Sequence, residues 1–234
     1  MLMALLLLIG TVAGEVRAEA LFNADLYLAG TNRQQLIFRQ KNSIAKKDGA
    51  TILTHTYTHV DGRLAAREVV TRKDGAIQRY EVTMPDTGCG CLLETAGNRI
   101  RFSYTKGGEP KTGEVDVVPD IVTGPTLTAF VHRRWASLLR GETAYFHLPA
   151  MSLQRLARFQ ITRIAGSPRN RPGVEVFQMK IANVFLRIAV DPVELVYDSA
   201  SRRLLEIHGK SLLTRRVGGR LENPVVDIVY RYDR

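Results

Sequence analysis

Apolar and polar residues alternate along most of the chain before residue 118, as they do in a strand with one buried and one wet face. The apolar positions of this alternation are Ile37, Ile52, Leu53, Val69, Val70, Ile77, Tyr80, Val82, Ile100, Phe102 and Tyr104. Asp48-Gly49, Asp61-Gly62 and Asp74-Gly75 separate these segments at even spacing. Asp-Gly favours tight hairpins because both central residues of a type I′ turn need positive φ. The first half of the chain therefore predicts an antiparallel meander.

One segment, residues 125–140, has helical periodicity instead. Its apolar residues recur at steps of three and four: Leu127, Phe130, Val131, Trp135, Leu138 and Leu139. Pro125 suits the first helical position, and Gly141 suits the left-handed residue at which helices commonly end. The pattern predicts a single amphipathic α-helix.

Strand-like segments resume after the helix. They cover residues 143–148, 153–164, 174–181, 184–190, 193–197, 204–208, 211–216 and 225–232. The fold class predicted from these elements is mainly β: a strongly curved antiparallel sheet or barrel of about twelve strands with one central amphipathic helix. Residues 19–234 are expected to form a single domain, with the helix between two meanders. Curved sheets of this size commonly enclose a small apolar ligand.

Residues 1–18 differ from the rest of the chain. Residues 2–12 are almost continuously apolar but too short to span a bilayer comfortably. Val16-Arg17-Ala18 then offers compact residues at the −3 and −1 positions of a signal peptidase site, although no basic residue precedes the apolar run. We therefore expect a signal peptide cleaved after Ala18 and a periplasmic or secreted protein. A buried N-terminal helix is the alternative.

The formal net charge is +10, and most of the basic residues are arginine. For a cytosolic chain this would suggest nucleic acid, but an exported protein meets anionic lipid head groups and polysaccharide instead. No run of five basic residues occurs, so a solvated basic surface is the simpler interpretation. We expect an anionic envelope surface, and no nucleic acid, as a partner.

The order of elements carries a family resemblance over residues 115–232. A helix with an apolar stripe that includes an arginine (residues 130–134) precedes Leu139-Arg140-Gly141-Glu142, and the strands Leu195-Val196-Tyr197-Asp198 and Arg203-Leu204-Leu205-Glu206 follow. This layout resembles a family of uncharacterised exported proteins of Gram-negative bacteria. It is distantly similar to periplasmic lipoprotein carriers, in which a curved sheet and a helical lid hold acyl chains. The resemblance implies a non-enzymatic envelope protein and supplies no ligand residues.

Arg134 is the most unusual position of the helix, because on a helical wheel it falls between Phe130 and Leu138 inside the apolar arc. A buried guanidinium needs a carboxylate, carbonyl groups or an anion beside it. One interpretation is that Arg134 forms a structural ion pair, or that its aliphatic part packs on the core while its guanidinium group reaches water. The other is a clamp for a carboxylate or phosphate head group, with Phe130, Trp135 and Leu138 against the apolar tail. These four are the predicted ligand-binding residues.

Cys89 and Cys91 are the only cysteines, and an extended backbone points both thiols to one face. In an oxidising compartment a disulfide is the expected state. Thiol–disulfide exchange is an alternative, and two sulfurs alone do not complete a metal site. The bridge is our prediction.

No other chemistry is indicated by motifs. His55, Tyr57 and His59 share one face of a predicted strand, but the two histidines lie about 13 Å apart, too far for one metal ion. No nucleophile elbow, zinc-protease helix or phosphate loop is present in the sequence. We therefore expect neither an enzyme nor a cofactor. The sequence favours a non-catalytic periplasmic binding or carrier protein for an amphiphilic, anionic envelope ligand. An envelope interaction protein without internal ligand, or a redox protein using its two cysteines, stays open.

Overall fold

The computed structural model describes residues 19–108, 110–183 and 191–232, which form one long antiparallel sheet, a short hairpin and one α-helix. The strands are β1 (Glu19–Leu28), β2 (Leu36–Lys47), β3 (Ala50–His59), β4 (Leu64–Lys73), β5 (Ala76–Met84), β6 (Cys89–Ala96), β7 (Arg99–Lys106), β8 (Lys111–Asp116), β9 (Ala144–Ala150), β10 (Arg155–Arg163), β11 (Val174–Ile181), β12 (Val193–Asp198), β13 (Leu204–Lys210), β14 (Arg215–Val217), β15 (Arg220–Glu222) and β16 (Val225–Arg231). The helix is α1 (Leu127–Leu139), preceded by a 3-10 turn over Gly124–Thr126. Further 3-10 turns cover Pro85–Thr87 and Met151–Leu153.

The sheet joins the two halves of the chain through the pairing of its first and last strands in sequence, β1 and β16, at the middle of the sheet. Its strand order is β8-β7-β6-β5-β4-β3-β2-β1-β16-β13-β12-β11-β10-β9, and every neighbouring pair is antiparallel. β1 pairs with β16, with Leu26 opposite Ile228. Strands β14 and β15 form the separate hairpin. Each meander thus contributes one half of a single continuous surface.

The sheet curls until its two ends meet. Met151 and Leu156, from the β9–β10 end, pack on the buried cluster of the β4–β7 strands. Asp120 and Val122, just after β8, exchange main-chain hydrogen bonds of 2.9 and 2.8 Å with His147 of β9. This is a single parallel bridge, so the sheet is strongly curved without being closed.

The helix lies inside the curve. Its buried residues, Phe130, Val131, Trp135 and Leu138, belong to one core cluster with inward-facing side chains of strands β9–β13. The 3-10 turn before the helix contacts β3 and β4 on the other side. The helix therefore crosses the interior between the two meanders.

These observations confirm the predicted fold class and the predicted helix. Gly141, with φ of 84°, follows the helix as expected. Asp48-Gly49 and Asp74-Gly75 have positive φ at both residues, as a type I′ turn requires, whereas only Gly62 does in the longer β3–β4 loop. The main sheet has fourteen strands among the described residues, more than the twelve expected. The predicted leader, its cleavage site at Ala18 and the predicted strand 184–190 lie outside the described residues.

Candidate functional site

A cavity of about 330 Å³ opens between the inner face of β4–β7 and the loops that follow β9 and β13. Its apolar wall is formed by Ala66, Val82, Met84, Met151, Leu212 and Leu213, and its polar lining includes Glu68, Tyr80, Cys89, Cys91, Tyr104 and Lys106. Lys106, at the end of β7, is exposed, and Thr87 lies in the 3-10 turn between β5 and β6; these two residues mark the mouth. Tyr80 lies four residues before Met84 on β5, about 13 Å away along the strand. The volume falls within the range of small-molecule sites.

Glu68 forms the floor of this cavity. Tyr80 donates a hydrogen bond of 3.0 Å to Glu68 Oε2, and Tyr57 donates a longer one of 3.4 Å to Oε1. Behind the carboxylate lies the turn that begins the helix, where a Cβ added to Gly124 would sit 2.7 Å from Glu68 Oε2. No Lys or Arg of the described chain forms an ion pair with Glu68. Burial raises the pKa of the Glu68 carboxyl, and the hydrogen bonds from Tyr80 and Tyr57 oppose that shift.

Polar side chains continue from the floor along the interior of β3 and β2. Tyr57 lies 3.4 Å from His55 Nδ1, and Gln40 Nε2 lies 3.2 Å from the same nitrogen and 2.7 Å from Asn42 Oδ1. His55, Gln40 and Asn42 are all buried, and burial lowers the pKa of His55 to about 3. His55 is therefore neutral at physiological pH, so its Nδ1 can accept the hydrogen from Gln40. Gln40 Oε1 has no hydrogen-bond partner within the described chain.

The two cysteines line the wall near the mouth. Their Sγ atoms are 3.5 Å apart and unbonded, and both side chains are buried. Cys89 is opposite Met84 on one side and Lys106 on the other. Burial, followed by the contact with Cys89, raises the pKa of the Cys91 thiol to about 12. Both thiols lie on the same face of β6, as expected. The disulfide between them stays a prediction.

Three of the four predicted ligand-binding residues lie in a packed core. Trp135 meets the rings of Phe177 and Tyr197 edge-on, with centroids 5.3 and 5.7 Å away. Phe130 lies 4.9 Å from Phe146, and Leu138 is fully buried in the same cluster. This side of the interior is filled, and none of the three lines the cavity described above.

Arg134, the fourth, is an exposed residue. Its side chain is 47% accessible and its Nη2 donates a hydrogen bond of 2.7 Å to Asp120 Oδ2. The guanidinium lies 6.0 Å from the Phe130 ring centroid, so the stem runs along the core while the head reaches water. This placement favours the structural ion pair over the head-group clamp, and the ligand role stays a prediction.

A second polar cluster lies on the outer face of the sheet. His208 Nδ1 is 2.6 Å from Asp227, and its Nε2 is 2.9 Å from Glu206. The hydrogen bond from His208, and then the charge of Arg33, lower the pKa of Glu206 to about 2. Arg171 reaches the other oxygen of Glu206 at 3.0 Å. Glu206 also pairs with Arg33, and Arg169 Nη2 lies 3.9 Å from Asp227 Oδ1. Because Arg169 and Arg171 belong to the loop after β10, the cluster ties that loop to the sheet.

Sequence reasoning missed Glu68, Lys106 and most of the cavity. One signal was available: Ala66, Glu68 and Val70 share a strand face, and a carboxylate between two buried apolar positions is exceptional.

Among the described residues no group of three or more His, Cys, Asp or Glu side chains surrounds a metal-sized space. Within the same residues no helix has the length and apolarity to cross a bilayer.

Comparison with known proteins assigns no family. No family model matches the chain, and no curated protein matches it. One solved structure that it resembles is the crystal structure of a beta-barrel-like protein of domain of unknown function DUF1849 from Brucella abortus. The match has 7% identity, covers 92% of this chain and 95% of the other, and has a TM-score of 0.41. A likeness of this size carries no inference about what this chain binds.

Proposed function

We propose that this chain is a non-catalytic binding or carrier protein for an amphiphilic ligand, held in the interior cavity that ends at Glu68. The single observation that carries the proposal is the cavity itself: an apolar wall between a polar mouth and a polar floor. In the other half of the interior, the described side chains of the helix pack against those of strands β9–β13. The cavity itself lies on the β4–β7 side.

The wall suits a short apolar chain. Val82 and Met84 of β5 and Met151 of the 3-10 turn after β9 converge on the same space. Met side chains adapt to irregular apolar shapes, which favours a flexible chain over a rigid ring. A volume of about 330 Å³ admits a single acyl chain but not a bulky two-chain lipid inserted whole.

The mouth suits an anionic head group. Lys106 is exposed there and has no ion pair among the described residues, while the chain as a whole carries +10. At the floor the carboxylate Glu68 would repel an anion, so the apolar end of the ligand enters first and the charged end stays near Lys106. The function is placed outside the cytoplasm on the basis of the predicted leader.

The test is a binding titration with a fluorescent fatty acid. Val82→Trp fills the cavity and is expected to weaken binding at least about tenfold relative to wild type, and Met151→Trp provides a second, independent block. Glu81→Trp, on the outward face of the same strand, is the matched control and should bind as wild type does. Saturable binding that all three variants retain would place the ligand elsewhere.

The alternative function, docking on an anionic envelope surface without internal ligand, has one specific observation in its favour. Leu212, Val217 and Leu221, at and beside the β14–β15 hairpin, are 84%, 45% and 41% exposed. Arg216 and Arg220 lie on the same hairpin, and Arg216 forms its hydrogen bond within the turn, to Gly219. Co-sedimentation with anionic vesicles, lost in Leu221→Ser but unaffected by Val82→Trp, would favour this alternative over the carrier function.

A further inference from the structure

We propose that a second pocket, formed where the β4–β5 turn meets the helix, binds a phosphate-type oxyanion between Arg72 and Arg133. We call it the arginine pocket; it encloses about 200 Å³ and is lined by Arg72, Ile77, Thr95, Asp120, Thr126 and Arg133, among others. It shares no lining residue with the interior cavity: Ile77 lines the arginine pocket and Tyr80 lines the cavity, and both belong to one buried cluster. The inference is therefore independent of the proposed carrier function.

Arg72 supplies one of the two guanidinium groups of the arginine pocket. It lies near the end of β4, half-buried, and donates a hydrogen bond of 2.7 Å to the Gly75 carbonyl. None of the carboxylates in the described chain forms an ion pair with it. Partial burial, followed by repulsion from Arg133, lowers the pKa of Arg72. A guanidinium that is partly dehydrated and faces a like charge is incompletely compensated.

Arg133 supplies the other guanidinium group of the arginine pocket. Its Nη1 donates a long bond of 3.4 Å to the Ala129 carbonyl, and its Nη2 lies 3.8 Å from Asp120 Oδ1, beyond hydrogen-bond distance. Asp120 also lines the pocket and would repel an anion. Its other oxygen, however, accepts the 2.7 Å bond from Arg134, so its charge is shared by two arginines. Arg133 and Arg134 thus share one carboxylate, and Arg72 adds a third positive charge to the same pocket without an ion pair, which leaves an excess of positive charge.

The excess positive charge of the arginine pocket favours phosphate as the ligand. Guanidinium groups offer forked N–H donors that match the oxygens of carboxylate and phosphate. Within the described chain, Arg72 donates one hydrogen bond, to Gly75, and Arg133 donates one, to Ala129. A phosphate monoester carries close to two negative charges at neutral pH, enough to compensate both arginines. The pocket has room for a head-group-sized anion and not for an extended chain. Inorganic phosphate and the phosphomonoester head of a lipid share this chemistry.

The experiment measures phosphate binding by calorimetry at constant ionic strength, with chloride as the replacing ion. Arg133→Gln should weaken phosphate binding at least about tenfold, because a charge-assisted hydrogen bond is lost. Being exposed, this position should tolerate the change, and Arg72→Gln provides the second variant. Arg140→Gln is the matched control: it lies just after the same helix, is paired with Glu142, and should leave phosphate binding unchanged.

Two results would overturn the proposal. One is wild-type protein that binds phosphate no better than chloride; the other is phosphate binding that survives in both Arg133→Gln and Arg72→Gln. A parallel titration with a short-chain phosphatidate below its micelle concentration separates the sources. Binding of phosphatidate at least about tenfold tighter than phosphate, and lost in Arg133→Gln, would support the site with a lipid head group as its ligand. Equal or weaker binding would support it with free phosphate.

Discussion

Tyr80 donates a 3.0 Å hydrogen bond to Glu68, which joins β4 to β5 at the inner end of the interior cavity. The carboxylate has two phenol donors and, within the described chain, no cation to offset its charge. Its ionisation should therefore affect both the stability of the fold and the polarity of the cavity floor.

The first prediction concerns Glu68 and pH. Because burial raises its pKa in the folded state, Glu68 contributes stability below its unfolded pKa of 4.5 that is lost as the pH rises through the folded value. The glutamine in Glu68→Gln cannot ionise. The free energy of unfolding of this variant should therefore increase relative to that of wild type as the pH rises from 4.5 towards neutral. Urea unfolding at a series of pH values measures the difference. Tyr80→Phe removes the hydrogen bond that stabilises the charged form of Glu68, so the loss of stability with rising pH should extend to higher pH. A constant difference between Glu68→Gln and wild type would contradict the assignment.

The second prediction tests the meeting of the sheet ends. A Cβ added to Gly113 of β8 would lie 2.5 Å from Cβ and 3.3 Å from the main-chain oxygen of Gln154, just before β10. Gly113→Ala should therefore destabilise the fold by about 1–3 kcal/mol, the usual cost of overpacking. Gly108→Ala, where a Cβ would meet nothing within 4 Å, is the control. If thermal unfolding gives both variants the stability of wild type, the two ends do not meet as described.

The third prediction separates the core of the helix from its surface. Trp135 is 4% exposed among aromatic rings, so Trp135→Ala should cost about 3–5 kcal/mol of stability. The Arg134–Asp120 pair is exposed enough for Arg134→Ala to cost less than about 1 kcal/mol. Denaturant unfolding measures both. An Arg134→Ala variant that unfolds as easily as Trp135→Ala would show that this arginine has a structural role beyond the ion pair.

The fourth prediction concerns the cysteine pair. The two sulfurs lie 3.5 Å apart and need to approach to about 2.05 Å to bond. In an oxidising compartment we expect the bridge to form. Protein recovered from the envelope without reductant should show no free thiol under denaturing conditions, while the same chain retained in the cytoplasm should show both. Two free thiols in the exported protein would contradict the predicted disulfide.

The sequence was sufficient for most of the elements but not for the site. The strand predicted over residues 211–216 is an exception, since β14 begins only at Arg215. Alternation and the Asp48-Gly49 and Asp74-Gly75 turns depend on local backbone preferences, so they could be located without knowing the partners of each strand. The helix followed from its period and from Gly141. Which side of the helix is filled depends on side chains from five separate strands, and no local pattern contains that information.

Arg134 shows the same limit at one residue. A helical wheel assigns an angle and cannot show that the segment after β8 brings Asp120 to the edge of the apolar stripe. The long arginine side chain follows that partner into solvent. Arg72 and Arg133 are 61 positions apart in sequence and become neighbours only through the fold.

Native mass spectrometry of the protein purified from the cells that produce it tests the central claim most directly. Wild type is expected to carry a co-purifying amphiphile of discrete mass that Val82→Trp lacks and Glu81→Trp retains. Wild-type protein with no bound amphiphile, or an amphiphile that persists unchanged in Val82→Trp, would contradict the claim that the cavity above Glu68 holds the ligand.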